Sequence, residues 1–390
     1  MTDHRIYLDY NATTPVDPRV LAVMLPYFTE IFGNAASNDH EFGLEAKRAV
    51  DKAREQVAAV INASPDEIIF TSGATESDNI ALLGVAEKYA SKGNHIITCV
   101  TEHKAVLDTC KRLEKLCKRI TYLPVDHYGL VDPDAVRRAI TPQTILISIM
   151  AANNEIGTLA PLTEIGAIAR EHGVLLHSDA AQAFGHVPLD VQTMHIDLLS
   201  ISAHKVYGPK GIGALYRRRS NPRVLLEPVI YGGGHEKGIR SGTLNVPGIV
   251  GLGEAAAIAQ KEMAAEDVRF RAWTEEMLAR LQAELGDIER NGHPTQRLPH
   301  TLNVYIPGVE SRALIVQLPD VAIATGSACT SASVAPSHVI MALGFGAGRA
   351  HNSIRISVGR FCDETEMRAA ATRIICSITN IEHLNRIIGD

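Results

Sequence analysis

Two side chains in this sequence are placed to do chemistry on a carbonyl group. Lys205 lies in Ser202-Ala203-His204-Lys205-Val206-Tyr207-Gly208-Pro209, just past the apolar, β-prone run Ile196 to Ile201. That run reads as a buried strand, and the Gly, Pro and polar residues after it read as a loop at the strand's C-terminal end. An amine held there stands at the rim of a sheet, where α/β proteins gather ligands, and it can condense with an aldehyde. A lysine by itself reads as a solvated surface charge. Upstream, however, the apolar run Val174 to Ser178 ends in Asp179. A carboxylate at a neighbouring strand end can keep an aromatic ring nitrogen protonated and the ring electron-poor.

An amine for an aldehyde and an acid for a ring nitrogen are together what pyridoxal 5'-phosphate (PLP) requires. Ser72-Gly73-Ala74-Thr75-Glu76 falls between an expected strand and an expected helix. Gly73 allows a tight turn, and the free N–H groups of the helix start form an anion site, so the phosphate is assigned to Ala74 and Thr75. The same residues also match a plain helix N-cap. Ser202 and His204, flanking the lysine, complete the phosphate cup. Arg355 in Ser353-Ile354-Arg355 supplies the planar fork that grips a substrate carboxylate, and reads equally well as a surface arginine on a strand. Gly208, Gly211 and Gly213 follow neither common phosphate-loop spacing; they read as a bend that frees Lys205 to swing.

A second reactive group is Cys329. It sits in Ala324 to Ser333, a run of small residues expected to bury little and to be mobile and exposed. A structural cysteine belongs in a core, so a reactive thiol is the better reading. The other cysteines are Cys99, Cys110, Cys117, Cys362 and Cys376. No C-x-x-C pair occurs, so neither a zinc ribbon nor a thioredoxin-like site is indicated.

The motifs HSDAAQ (177–182), SAHKVYGPKGIG (202–213), TSGATESDN (71–79) and GSACTSAS (326–333) lie between YLDYNATTPVDP (7–18) and SIRISVGR (353–360). In this order they resemble, over nearly the whole chain, the cysteine desulfurases of the IscS/NifS group in the class V aminotransferase family. The resemblance implies the PLP-dependent transferase fold of type I and removal of sulfur from L-cysteine. The products are L-alanine and a persulfide on Cys329. It implies that His103 lies over the ring and moves protons, a duty suited to its ordinary pKa of ~6.5. Asn154 and Gln182 look like the family's donors to the substrate carboxylate region and the ring's phenolate oxygen. Thr243 is implied to reach the phosphate of a partner subunit, so that the site is complete only in a homodimer.

Acceptors implied by the resemblance are an iron–sulfur scaffold or a sulfur-relay protein serving tRNA thiolation. No resident metal is expected; the persulfide meets an iron–sulfur cluster only on a partner. Two departures stand out. The family's GNPSS or GNPAS loop is here Gly33-Asn34-Ala35-Ala36-Ser37, without proline, and the sequence ends at Asp390 without the longer tail that helps dock a scaffold. The acceptor is therefore open. Rival readings are another PLP enzyme of this fold, a selenocysteine lyase or aminotransferase, and a sulfur-carrier protein without cofactor.

The elements that must position these groups alternate. Strands are expected over 67–71, 95–100, 144–150, 174–178 and 196–202, with helices over 40–61, 75–89, 104–116 and 161–172. This pattern predicts an α/β fold whose mostly parallel sheet is covered by helices on both faces. After residue 250 the rhythm changes to a charged helix (254–285) and a smaller α+β block, with strands at 301–306 and 353–358. The expected domains are 16–250, and 1–15 together with 251–390. With 46% apolar and 21% charged residues the composition is that of a soluble globular protein. A net charge of −6 argues against broad nucleic-acid or anionic-membrane binding. The polar start, Met1 to Ile6, and the lack of a long apolar run lead to the expectation of a cytoplasmic protein.

Overall fold

The computed structural model describes residues 5–325 and 335–389. The chain begins with β1 (Ile6–Tyr7) and the helices α1 (Pro18–Met24), α2 (Pro26–Thr29) and α3 (Glu41–Val60). An alternating stretch follows: β2 (Ile68–Thr71), α4 (Ala74–Lys88), β3 (His95–Cys99), α5 (Lys104–Lys115), β4 (Arg119–Leu123) and α6 (Pro133–Ala139). It continues with β5 (Thr144–Ser148), α7 (Leu162–Glu171), β6 (Leu175–Asp179), β7 (Leu198–Ser202) and β8 (Gly213–Arg217). The remainder is α8 (Val246–Leu285), β9 (Glu289–Asn291), β10 (Thr301–Tyr305), α9 (Ser311–Val316), β11 (Val321–Ala322), α10 (His338–Ala342), α11 (Gly346–His351), β12 (Ser353–Ser357) and α12 (Glu364–Gly389).

Seven strands make one sheet in the order β2-β8-β7-β6-β5-β3-β4. β8 runs antiparallel to both its neighbours, and the other pairings are parallel. Strands β2, β3, β5, β6 and β7 are buried at every position, whereas β4, at one edge, is half-exposed. Continuous burial is the mark of a sheet covered on both faces, and it explains why the sequence shows unbroken apolar runs rather than alternation. The parallel register of β6 and β7 brings Asp179 opposite Ser200, so the two strands deliver Asp179 and the Lys205 turn to the same rim.

A second layer is the antiparallel sheet β12-β10-β9, beside the short parallel pair β1-β11. Its apolar residues join those of α8, α9 and α12 in a separate cluster. Helix α8, about 60 Å long at 1.5 Å per residue, begins in the cluster under the large sheet and ends in this one. Sequence reasoning began this helix at residue 254, after Gly248, Gly251 and Gly253, residues of low helix propensity. The structure begins it at Val246. Close packing overrides propensity here: a Cβ on Gly253 would stand 2.6 Å from Cα of Ala53 on α3. No helix among the described residues is long and apolar enough to cross a membrane.

Candidate active site

A cavity of about 580 Å³ opens at the C-terminal rim of the large sheet. Ala74, Thr75, His103, Asn154, Asp179, Gln182, Ser202, His204, Lys205 and Arg355 all line it. Residues named from six separate stretches of sequence thus meet in one place. A larger, mostly aliphatic cavity of about 940 Å³, lined from α6, α7 and α8, contains none of them.

Strand β7 ends at Ser202 and passes directly into a single 3₁₀ turn, Ala203–Lys205. The Lys205 amine donates to the backbone carbonyls of Asn11 and Ala12, the latter at 3.0 Å. Its own carbonyl accepts from Nε2 of His186 at 2.8 Å. Burial lowers the pKa of His186, which keeps that ring neutral and able to hold this orientation. Of the three glycines expected to form a bend, Gly211 takes the left-handed conformation (φ +79°) and Gly208 packs where a Cβ would stand 2.9 Å from Cβ of Ala203. Tyr207 takes the left-handed conformation (φ +64°). It is held by Thr14 Oγ1, which accepts from its N–H at 2.9 Å, and by Asp17, whose N–H donates to its carbonyl at 3.0 Å. Gly213 lies in β8 instead, where a Cβ would come within 2.6 Å of Cα of Gly73. That close approach seats the Ser72–Thr75 turn against the sheet.

At that turn Gly73 (φ +151°) precedes the fifteen-residue helix α4, whose first N–H groups face the cavity beside Ser202. His204 bonds Thr13 Oγ1 through Nδ1 at 3.1 Å. Burial first, then Lys205 and Lys210, push its pKa down to about 4, so the ring is neutral at physiological pH. Glu76 accepts from the Ser72 N–H at 2.9 Å and from Arg240 Nε at 2.7 Å, which cancels its charge at this end of the cavity. Arg240 therefore docks the 240–243 segment, but Thr243 itself is exposed and does not line this chain's cavity.

At the opposite end Asp179 is 5% exposed and accepts the Ala181 N–H at 2.9 Å. Burial, followed by the negative charge of Asp78, pushes its pKa up to about 6; His103 and His177 pull the other way. A protonated ring nitrogen would restore the carboxylate, so the acid fits a pyridine nitrogen. His103 N-caps α5 with Nδ1 accepting from the Ala105 N–H at 3.2 Å, which leaves the proton of the neutral ring on Nε2. Arg355 is 1% exposed and is no surface arginine. Its Nη1 donates to the Asn154 carbonyl at 2.8 Å and its Nη2 to Asp9 Oδ1 at 2.7 Å.

Sequence reasoning missed the segment Asn11-Ala12-Thr13, which forms one wall. The Asn11 carbonyl accepts from both the Lys205 amine and Gln182 Nε2, the latter at 2.9 Å. Its side chain donates to Thr301 Oγ1 at 2.9 Å and so ties the wall to the smaller sheet. Cys329 lies outside the described residues.

Comparison with known proteins gives this arrangement a family. The sequence pattern of the class-V aminotransferases matches residues 6–369. Cysteine desulfurase IscS of Anaeromyxobacter dehalogenans (strain 2CP-C) is 55% identical over 362 residues, 93% of this chain and 89% of that protein. A solved NifS-like protein superposes with a TM-score of 0.90 at 37% identity, covering 96% of this chain and 99% of that one. A structure described as SspA in complex with cysteine superposes at 0.78, with 39% identity and coverage of 90% and 98%. The chain belongs to the class-V aminotransferase family and, within it, to the cysteine desulfurases of the IscS/NifS group.

Proposed function

We propose that the cavity binds PLP through Lys205, Asp179 and the α4 turn, and that the chain uses it to take sulfur from L-cysteine. The observation that carries this reading is the convergence of a half-buried amine, a buried acid and a helix N-terminus on one cavity of suitable size. When bound, PLP supplies an electron sink that weakens bonds around the substrate's α-carbon. Ala74, Thr75, Ser202 and His204 hold the phosphate, and Gln182 and His103 border the ring. The substrate carboxylate falls to Arg355 and Asn154. Lys205 would hold the cofactor's aldehyde carbon, and its amine is the base for the substrate's α-proton; the Asn11 and Ala12 carbonyls steady that amine. Cys329, as thiolate, attacks the substrate sulfur. An S–S bond forms, the C–S bond breaks, and its electron pair with a proton leaves L-alanine. The bound cysteine named for the SspA structure supports L-cysteine as the substrate.

The persulfide is then passed to protein acceptors for iron–sulfur cluster assembly, tRNA thiolation or both. We further propose a homodimer. Leu25, Phe28, Phe32, Phe42 and Tyr231 are all more than half exposed, an apolar surface of the kind a second copy covers, and Thr243 is exposed for delivery to a partner. A division into 16–250, and 1–15 with 251–390, is supported by the two main apolar clusters.

The direct test is incubation of the purified protein with L-cysteine. Alanine should form with matching sulfur, first bound to Cys329 and released as sulfide by a thiol. No alanine from protein reconstituted with PLP defeats the proposal. Arg355→Lys should raise KM for L-cysteine by about 10- to 100-fold with a smaller effect on kcat, because a point charge replaces a two-pronged grip. Steady-state kinetics of alanine formation reads both.

A further inference from the structure

We propose that Asn153 is a positioning residue for the substrate: its carboxamide ties the segment that carries His103 to the turn that carries Asn154, and so fixes the backbone carbonyl on which Arg355 rests. The inference rests on the reading of Asn154 and Arg355 as the grip on the substrate carboxylate. As sequence, Asn153-Asn154 after a strand reads only as a turn. The structure gives the two side chains different surroundings. Asn154 lines the cavity, whereas Asn153 is 4% exposed and does not.

The Asn153 amide is used at both ends. Oδ1 accepts from the N–H groups of Glu155 at 2.9 Å and Ile156 at 3.1 Å, which closes the turn that follows β5. Nδ2 donates to the Thr101 carbonyl at 3.0 Å, in the segment after β3 and two residues before His103. Backbone N–H groups only donate and a carbonyl only accepts, so these partners settle which way the amide points. A carboxylate has no donor for Thr101, and a serine hydroxyl is too short to serve both sides. One further bond joins the same two segments, from the Met150 N–H to Glu102 Oε1 at 2.7 Å. What the turn presents to the site is the Asn154 carbonyl, which accepts from Arg355 Nη1 at 2.8 Å and from Asn11 Nδ2 at 3.2 Å. Nη2 is held separately by Asp9 Oδ1. A guanidinium is planar, so a shift of the carbonyl under one nitrogen turns the whole fork. Loss of the Asn153 amide strips two buried N–H groups of their acceptor and cuts the tie to Thr101, so the turn must move. The fork then meets the substrate carboxylate out of line.

The test compares L-cysteine with cysteamine, the same molecule without its carboxylate. Full-length protein loaded with PLP and carrying Cys329→Ala, so that ligand is bound and not consumed, is titrated with each while the cofactor absorbance is read. This parent should prefer L-cysteine. Adding Asn153→Ala should remove about tenfold to a hundredfold of that preference, with affinity for cysteamine and for PLP unchanged. In a protein already carrying Arg355→Ala the same change should cost no further preference, because the two residues act as a unit. An Asn153→Ala protein that keeps the full preference overturns the inference, as does one that loses affinity for both ligands equally, the mark of a packing role. If Asn153→Ala does not fold, Asn153→Ser, which keeps an oxygen for the turn but cannot reach Thr101, is read the same way. A parent that binds both ligands equally, or an Arg355→Ala protein that keeps the preference, overturns the reading of Arg355 itself, and this inference with it.

Discussion

Lys205→Ala is expected to give a folded protein that lacks the absorbance of the lysine-bound cofactor at about 420 nm and forms no detectable alanine from L-cysteine. Two roles disappear together, the covalent attachment and the base, and loss of a base alone lowers turnover by about 10²- to 10⁴-fold. The fold should tolerate the change. The Asn11 carbonyl keeps its bond from Gln182, and the Ala12 carbonyl loses its bond from Lys205. One such hydrogen bond is worth about 1 kcal/mol, against a typical stability of about 5–15 kcal/mol. Absorbance spectra and alanine assays check both halves. Survival of the band would mean that another amine carries the cofactor, and Lys210 lines the same cavity. A wild-type protein that stays colourless with PLP would favour the carrier reading without cofactor.

Cys329→Ala should separate the two halves of the site. Alanine and sulfide formation should fall by at least about 10³-fold, while the cofactor absorbance remains. Every residue assigned to holding the cofactor lies elsewhere in the chain, so its retention is expected. No other cysteine is fit to replace the thiol. Burial, the largest cause in each, drives the thiols of Cys99 and Cys110 up to about 12 and raises that of Cys362, so they resist becoming thiolates. Cys117 and Cys376 are exposed but do not line the cavity. Full activity in this variant would point instead to a selenocysteine lyase or aminotransferase, which needs Asp179 and Lys205 but no such thiol.

Lys205 and Asp179 were legible in the sequence because each follows a strand buried on both faces, and such strands announce themselves as apolar runs. Position at a strand end then does the rest. Arg355 was read equally well as a surface residue, because β12 is an outer strand of its sheet. It is buried because Asp9 and Ala324 bridge to that strand and cover the edge, a long-range pairing that no local pattern encodes. Asn11 and Ala12 escaped notice for a different reason. They act through backbone carbonyls, which carry no side-chain signature. Strand β4 and helix α6 went unread: β4 (Arg-Ile-Thr-Tyr-Leu) is half-exposed at the sheet edge and lacks a long apolar run, and α6 spans only seven residues.

The N-terminal segment has a consequence for how the enzyme matures. β1 pairs with Val321 and Ala322, Asp9 bridges to Ser357, and the carbonyls that accept from the Lys205 amine follow immediately after. The segment around Ile6 therefore cannot take its place until residues 321 and 322 have been made, at the entropic expense of closing a loop of more than 300 residues. A nascent chain can build the seven-stranded sheet early, but the wall beside Lys205 closes only after residues 321–357 have emerged.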